Sequence, residues 1–122
     1  MTQPSLKTVV WIGSSLKDFR GFPEEVHDIM GYALYLAQTE DKYESAKPLK
    51  GFGSAKVLEI TDDHDGDTYR AVYTVKFADT VYVLHAFQKK SKKGIATPQQ
   101  DITLIQERLK RAQEHYEEFK SK

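Results

Sequence analysis

Residues 80–96 read Thr-Val-Tyr-Val-Leu-His-Ala-Phe-Gln-Lys-Lys-Ser-Lys-Lys-Gly-Ile-Ala. The first half, Thr80–Phe87, is β-branched, aromatic or aliphatic at every position except His85, which is typical of a buried strand. The strand runs into four lysines with no acidic residue among them: Lys89, Lys90, Lys92 and Lys93. Lysines that fan out from a rigid strand end suit a partner that carries phosphate groups. The stretch therefore predicts a central strand with a candidate site at its end.

Two further strands are predicted immediately before this one. Lys56–Thr61 and Tyr69–Phe77 have the residue preferences of strands. The acidic segment 62–67 between them contains Asp-Gly, which supplies the φ > 0 backbone that a hairpin turn needs. Short connections favour pairing between neighbours, so the three strands are predicted to form an antiparallel meander.

The segment before the meander predicts one strand and one long helix. Lys7–Gly13 reads as a first strand, and a helical turn is expected at Leu16–Arg20. A helix is predicted from Pro23 to about Thr39–Asp41, because proline is favoured in a first helical turn. Its apolar residues recur at helical spacing, at Val26, Ile29, Met30, Ala33, Leu34 and Ala37.

The C-terminal segment predicts a second long helix. Thr97-Pro98-Gln99-Gln100 is a capping-box arrangement, with threonine as the cap and glutamine three residues later. One apolar stripe follows at spacings of three and four, formed by Ile102, Ile105, Leu109, Ala112, Tyr116 and Phe119. The element order is strand, helix, three-stranded antiparallel meander, helix, which predicts an α+β fold in one domain over residues 1–122.

Composition excludes several classes of protein. The 18 basic and 18 acidic residues cancel, which is evidence against a protein that coats DNA and requires any nucleic-acid contact to be local. The chain has no cysteine, which excludes disulfides and thiolate metal sites. The N-terminal residues lack the apolar core of a signal peptide, and no apolar run reaches membrane-spanning length. A cytoplasmic protein with no membrane partner is expected.

His85 is the first candidate for chemistry. In a regular strand it shares a face with Val81, Val83 and Phe87. A pKa near neutrality suits a histidine to general acid–base work. The alternative is a partly buried histidine that is satisfied by a backbone partner, and the sequence leaves both interpretations open.

Glu59 and Arg70 are the second candidate. If the hairpin turn centres on His64-Asp65, the two residues lie directly opposite each other and form a cross-strand ion pair. Arg70 is then either a structural partner of Glu59 or held by it for phosphate binding through its fork of donors. Lys56, three residues from Glu59, projects from the opposite face of an ideal strand.

The lysine segment and the acidic turn each allow a plain interpretation. The lysines either follow a phosphodiester backbone or form a solvated loop. The turn 62–67 fails the calcium-loop pattern, because Thr68 stands where glycine is needed and Thr74 where glutamate is needed. The other histidines lack metal-ligand spacing, so no metal and no cofactor is predicted.

Five segments together resemble the HigB-like branch of the RelE/ParE toxin superfamily, including its phage-derived members. The resemblance runs from about Leu49 to Arg111. The segments are Leu49-Lys50-Gly51-Phe52, Val57-Leu58-Glu59-Ile60, Tyr69-Arg70-Ala71-Val72-Tyr73, Val83-Leu84-His85-Ala86-Phe87-Gln88-Lys89-Lys90 and Thr97-Pro98.

The resemblance implies a curved, mostly antiparallel sheet with helices on one side. It also implies an mRNA endoribonuclease that acts on ribosome-bound message by attack of a ribose 2′-hydroxyl on the adjacent phosphate, and that a partner antitoxin neutralises. The catalytic residues expected from it are His85, Arg70 and Lys90, converging with Lys89 on one exposed concave surface. The RNA-binding residues expected are Lys89, Lys92, Lys93, Lys56 and Lys50.

Two alternatives stay open. Some RelE-type members use a tyrosine late in the chain, but here no tyrosine lies between Tyr82 and Tyr116. That difference and the neutral charge favour a non-catalytic, ParE-like or regulatory member of the same fold that binds a protein. The stripe of the last helix favours a small adaptor, provided that this stripe is exposed in the monomer.

Overall fold

The structure is a computed structural model that describes residues 6–89 and 96–120. A short 3-10 helix, Gly53–Ala55, precedes the third strand. The other elements are, in chain order, β1 (Thr8–Trp11), α1 (Ser15–Arg20), α2 (Glu24–Gln38), β2 (Lys47–Pro48), β3 (Val57–His64), β4 (Asp67–Thr74), β5 (Thr80–Lys89) and α3 (Gln99–Lys120).

The strands form one sheet in the order β1-β5-β4-β3-β2. The antiparallel meander β3-β4-β5 is present as predicted, and the α+β fold class is confirmed. β1 pairs in parallel with the first half of β5, which places β5 between β1 and β4. The two-residue strand β2 on the other edge was not predicted, because it is too short to produce an alternating pattern. No helix in the described ranges is long and apolar enough to cross a membrane.

The β3–β4 hairpin turn is tighter than the sequence suggested. β3 continues through the acidic residues to His64, and the turn is formed by Asp65 and Gly66. Their φ angles are 49° and 84°, as in the two-residue turns whose twist matches that of the flanking strands. The turn therefore centres one residue later than the position from which the Glu59–Arg70 pairing was predicted.

The sheet has a core on each face, so the expectation of helices on one side is wrong. α2 covers one face, where Val26, Met30 and Ala33 pack against the meander. α3 covers the opposite face, called here the α3 face, where Ile105 and Ala112 are fully buried. The apolar stripe of α3 is therefore largely used inside the protein, although its last member, Phe119, is exposed.

β5 contains a β-bulge that changes the direction of its second half. Val72 pairs with His85, whereas the next residue of β4, Tyr73, pairs with Val83, so Leu84 has no partner across this ladder. A single extra residue moves the side chains that follow it to the other face. His85 therefore lies on the α3 face, and the prediction that it shares a face with Val81 and Val83 is wrong.

Two glycines give a matched test of the packing of α3. Gly13 has φ +59°, and a Cβ there would lie 2.8 Å from Nε of the buried Arg108 on α3, whereas a Cβ at Gly31 in α2 meets nothing within 4 Å. We expect Gly13→Ala to lower the free energy of unfolding by about 2 kcal/mol and Gly31→Ala to raise it by about 1 kcal/mol. Urea unfolding of both variants measures this, and effects of the same sign would contradict the packing described.

The buried Tyr73 predicts a loss of stability in alkali. Its hydroxyl has no hydrogen-bond partner within the described residues, and burial raises the pKa of Tyr73 to about 12. The pKa of the Tyr73 hydroxyl is higher in the folded state than in the unfolded state. The contribution of this hydroxyl to the free energy of unfolding is therefore fully present below pH 10 and is lost as the pH rises towards 12. Tyr73→Phe should remove that part of the decline in unfolding curves between pH 9 and 12. The exposed Tyr35→Phe is the control, and identical decline in both variants would refute the assignment.

Candidate functional site

Three rows of paired residues on the α3 face hold the predicted site residues. The first row is Glu59, Val72 and His85, the second is Thr61, Arg70 and Phe87, and the third is Asp63, Thr68 and Lys89. Neighbouring rows on one face are spaced two residues apart along each strand. The structure therefore brings Arg70, His85 and Lys89 together at one end of the sheet.

This end of the sheet is covered, not open. Arg70 is 4% and His85 is 6% exposed, because the start of α3 lies over them. The expectation of an exposed concave surface is therefore corrected: the two side chains converge, but beneath a helix. Phe87 stacks on the His85 ring with the ring centroids 4.6 Å apart, and it marks the partly open side of the cluster.

Arg70, Glu59 and Thr97 form a closed triangle of hydrogen bonds. The NH1 group of Arg70 donates to Oε1 of Glu59 over 3.1 Å and to Oγ1 of Thr97 over 3.0 Å. The Thr97 hydroxyl in turn donates to Oε2 of Glu59 over 2.7 Å. The ion pair is diagonal and not directly opposite, because Arg70 pairs with Thr61 in the observed register. Long side chains bridge such diagonal neighbours readily.

His85 is held at both ring nitrogens. Nε2 lies 2.8 Å from Oδ1 of Asp101 in the first turn of α3, and Nδ1 lies 3.4 Å from NH1 of Arg108. An arginine only donates, so Nδ1 carries the lone pair and Nε2–H donates to the carboxylate. His85 therefore has the Nε2–H tautomer, with its ring orientation set by α3.

Arg108 connects α3 to two other parts of the chain. It donates to the carbonyl oxygen of Leu84 over 3.0 Å and to the Ser14 hydroxyl over 3.0 Å. That hydroxyl donates to Asp18 over 2.8 Å. Burial lowers the pKa of the Arg108 guanidinium from its ordinary value, which reflects the cost of removing a cation from water. At the bulge Leu84 has no partner in β4, and among the described contacts its carbonyl oxygen accepts its hydrogen bond from Arg108.

The sequence interpretation missed Asp101, Thr97 and Arg108 as members of this cluster. A signal for two of them was present. Asp101 precedes the buried Ile105 by four residues and Arg108 follows it by three, so both lie on the buried side of α3. A polar residue in the middle of an apolar helical stripe predicts a buried hydrogen-bonded group.

The lysines are distributed over different regions. Lys89 donates to the carbonyl oxygen of Ala96 over 3.2 Å, next to the Arg70 row. Lys56 instead lines a cleft of about 410 Å³ on the α2 side, together with Lys7 and Lys42, and Lys50 is exposed between β2 and β3. The structure does not bring these two together with Arg70 and His85. The predicted site residues Lys90, Lys92 and Lys93 lie outside the described residues.

The arrangement combines a carboxylate, a guanidinium and an imidazole on three adjacent strands. Such a set can bind an anionic group, accept a proton and donate one. An open groove of about 340 Å³ runs beside it, lined by His85, Phe87 and Gln88 of β5 and by Asp18 and Phe22. Within residues 6–89 and 96–120, no group of three or more His, Asp or Glu side chains is placed to hold a metal ion.

Comparisons with known proteins give a family and a fold. Residues 17–110 match the model of the family described as "Phage derived protein Gp49-like (DUF891)". The free toxin RelE of E. coli, solved as a double arginine-to-alanine mutant, is similar with a TM-score of 0.51 and 19% identity, over 66% of this chain and 81% of RelE. At that identity the similarity shows the fold alone.

A second similar structure is the RelBE2 toxin–antitoxin complex of Mycobacterium tuberculosis. Its matching chain is 17% identical with a TM-score of 0.44, over 75% of this chain and 100% of that one. No curated protein sequence matches the chain significantly.

The buried ion pair predicts a strong dependence of stability on its partners. The side chains of Arg70 and Glu59 are 5% and 12% exposed. We expect Arg70→Met to lower the free energy of unfolding by about 3 kcal/mol, because it leaves a carboxylate buried without its counter-charge. The double variant Arg70→Met/Glu59→Met should recover most of this loss. Urea unfolding of the complete double-mutant cycle tests it.

The pair of Lys7 with Glu40, in which the Glu40 side chain is 76% exposed, is the control for that cycle. Glu40→Ala should cost less than about 1 kcal/mol. Additive losses for Arg70 and Glu59, with no recovery in the double variant, would show that the two charges are not coupled.

Proposed function

We propose that this chain, which belongs to the phage-derived Gp49-like family, is the toxin component of a type II toxin–antitoxin system and cleaves RNA. We infer further that its substrate is ribosome-associated mRNA and that a cognate antitoxin protein neutralises it. The observation that carries the proposal is the set of Glu59, Arg70 and His85 on one face of three adjacent strands. Family membership and the RelE fold support it.

The chemistry needs three tasks that this set can perform. A base takes the proton from the ribose 2′-oxygen as the bond from that oxygen to phosphorus forms. The bond from phosphorus to the 5′-oxygen breaks, and that oxygen takes up a proton. The products are a 2′,3′-cyclic phosphate and a 5′-hydroxyl. A cationic group stabilises the charge on the phosphate oxygens in the transition state.

Arg70 is suited to the phosphate. Its planar fork of donors matches two phosphate oxygens, which a lysine cannot do in the same geometry. Glu59 already holds the guanidinium at 3.1 Å, so the arginine is positioned before substrate binds. The Glu59 carboxylate is in direct contact with Arg70 and is the candidate for removing the proton from the 2′-hydroxyl.

His85 is the candidate proton donor to the leaving oxygen. Asp101 accepts the hydrogen bond from its Nε2–H at 2.8 Å and so orients the ring. Proton exchange then takes place at Nδ1, where the 3.4 Å contact with Arg108 must give way to substrate. Lys89 in the next row, and Lys90 after it, are proposed to add positive charge along the RNA backbone.

Arg70→Lys is the sharpest test of the catalytic proposal. It keeps the charge but removes the fork, so we expect cleavage of ribosome-bound message to fall at least about 100-fold. Growth arrest on expression without antitoxin should be lost in parallel, and His85→Gln should act in the same direction. Cut sites are mapped by sequencing RNA ends, and circular dichroism establishes that each variant is folded.

His115→Gln is the control for His85→Gln. His115 lies on the exposed side of α3 and contacts Tyr82, far along the helix from Asp101. It should leave cleavage unchanged. If the wild-type protein arrests growth but yields no RNA cut site at any concentration, the nuclease proposal is refuted.

A second candidate function is favoured by the burial of the site. Arg70 and His85 are almost inaccessible, and NH1 of Arg70 and both ring nitrogens of His85 are engaged by Glu59, Thr97, Asp101 and Arg108. A non-catalytic member of the fold that acts by binding a protein would need no accessible site there. In that case growth arrest would persist in Arg70→Lys and in His85→Gln.

A further inference from the structure

The Thr97 hydroxyl lies between the two groups that are proposed to act on RNA. It accepts a hydrogen bond from Arg70 over 3.0 Å and donates one to Glu59 over 2.7 Å. An attacking ribose hydroxyl needs the same pattern, since it must donate its proton to a carboxylate beside the cation that holds the phosphate. The contact is short and lies within a largely buried cluster, where such hydrogen bonds are strong.

Thr97 does not serve the purpose for which its sequence position suits it. The capping box predicts that its hydroxyl accepts a hydrogen bond from the backbone of α3. Instead α3 begins at Gln99, and the described hydrogen bonds of the Thr97 hydroxyl are with Arg70 and Glu59, not with a backbone N–H group of the first helical turn. The hydroxyl is directed at the ion pair, so removing it does not uncap the helix.

We propose that the Thr97 hydroxyl occupies the subsite of the attacking ribose 2′-hydroxyl and so keeps the free protein in an inhibited state. RNA binding then exchanges one hydroxyl for another and displaces the start of α3 from Glu59 and Arg70. The inference rests on the proposed function, because it names the substrate group that the Glu59–Arg70 pair receives. It also explains how a reactive set of side chains is present but covered.

The test compares three variants, two at Thr97 and one at the control position Thr103. Thr97→Val removes the hydroxyl and keeps the shape, so it should raise kcat/KM on single-stranded RNA at least about tenfold, because its two hydrogen bonds to charged groups no longer compete with substrate. Thr97→Ser keeps the hydroxyl and should behave as wild type. Thr103→Val makes the same change at an exposed position of α3 and is the control.

A binding measurement separates this inference from the proposed function. Fluorescence anisotropy compares an RNA oligonucleotide with an analogue that lacks the 2′-hydroxyl at the cleaved position. Thr97→Val should tighten binding of the RNA about tenfold more than binding of the deoxy analogue, because only the RNA fills the vacated subsite. If no variant cleaves but this difference is observed, nuclease activity is refuted and the occupancy of the subsite stands.

The opposite pattern overturns the inference. If wild type cleaves RNA and Thr97→Val cleaves it at an equal or lower rate, with no preference for RNA over the deoxy analogue, Thr97 does not compete with substrate. The proposed function then survives and the inhibited state does not. A gain in Thr103→Val equal to that in Thr97→Val would also overturn it, because the effect would then come from α3 in general.

Discussion

The single extra residue in β5 is the constraint on which the site depends. Without the bulge, His85 would point towards α2 with Val81 and Val83, and away from Glu59 and Arg70. With it, His85 enters the same face as both, and the Leu84 carbonyl becomes an acceptor for Arg108. A bulge leaves backbone groups unpaired, and such groups need partners when they are buried. The buried arginine of α3 meets that need and fixes the helix over the site.

The sequence predicted the helices and strands more accurately than it predicted the face of the sheet on which each side chain lies. The strands, the Asp-Gly hairpin and α3 follow from local residue preferences, and the structure contains them. The face of His85 could not be derived, because the alternation rule assumes an uninterrupted strand and nothing in Val83–Phe87 marks a bulge. The Glu59–Arg70 pair was predicted for a neighbouring register. It persists because a shift of the turn by one residue changes the pairing from opposite to diagonal while both side chains stay on one face.

α3 can cover the site because the buried charged groups beneath it have hydrogen-bond partners within the protein. Each buried cation on the α3 face is matched within the cluster: Arg70 by Glu59, and Arg108 by carbonyl and hydroxyl oxygens. A buried charge without a partner costs several kcal/mol, so a site rich in cations is stable in a closed state only when the protein supplies its own acceptors. The segment at the start of α3 provides Thr97 as an acceptor for Arg70 and Asp101 as an acceptor for His85, and these positions could not be assigned from strand patterns alone.

The polar groups of the site are hydrogen-bonded to one another in the free protein, and they must exchange these partners for substrate before they can act on RNA. Arg108 is buried, and its bonds to Leu84 and Ser14 link α3 to two other segments, so they hold the helix on the sheet. The contact of Thr97 is different, because it involves one hydroxyl two residues before the helix and no helical backbone group. Losing it removes the two hydrogen bonds of that hydroxyl and leaves intact the bond of Asp101 to His85 and the bonds of Arg108 to Leu84 and Ser14. The contacts of Asp101 and Arg108 hold α3 on the sheet, whereas the contact of Thr97 can be replaced. The same helix can therefore stabilise the fold and still make room for a substrate.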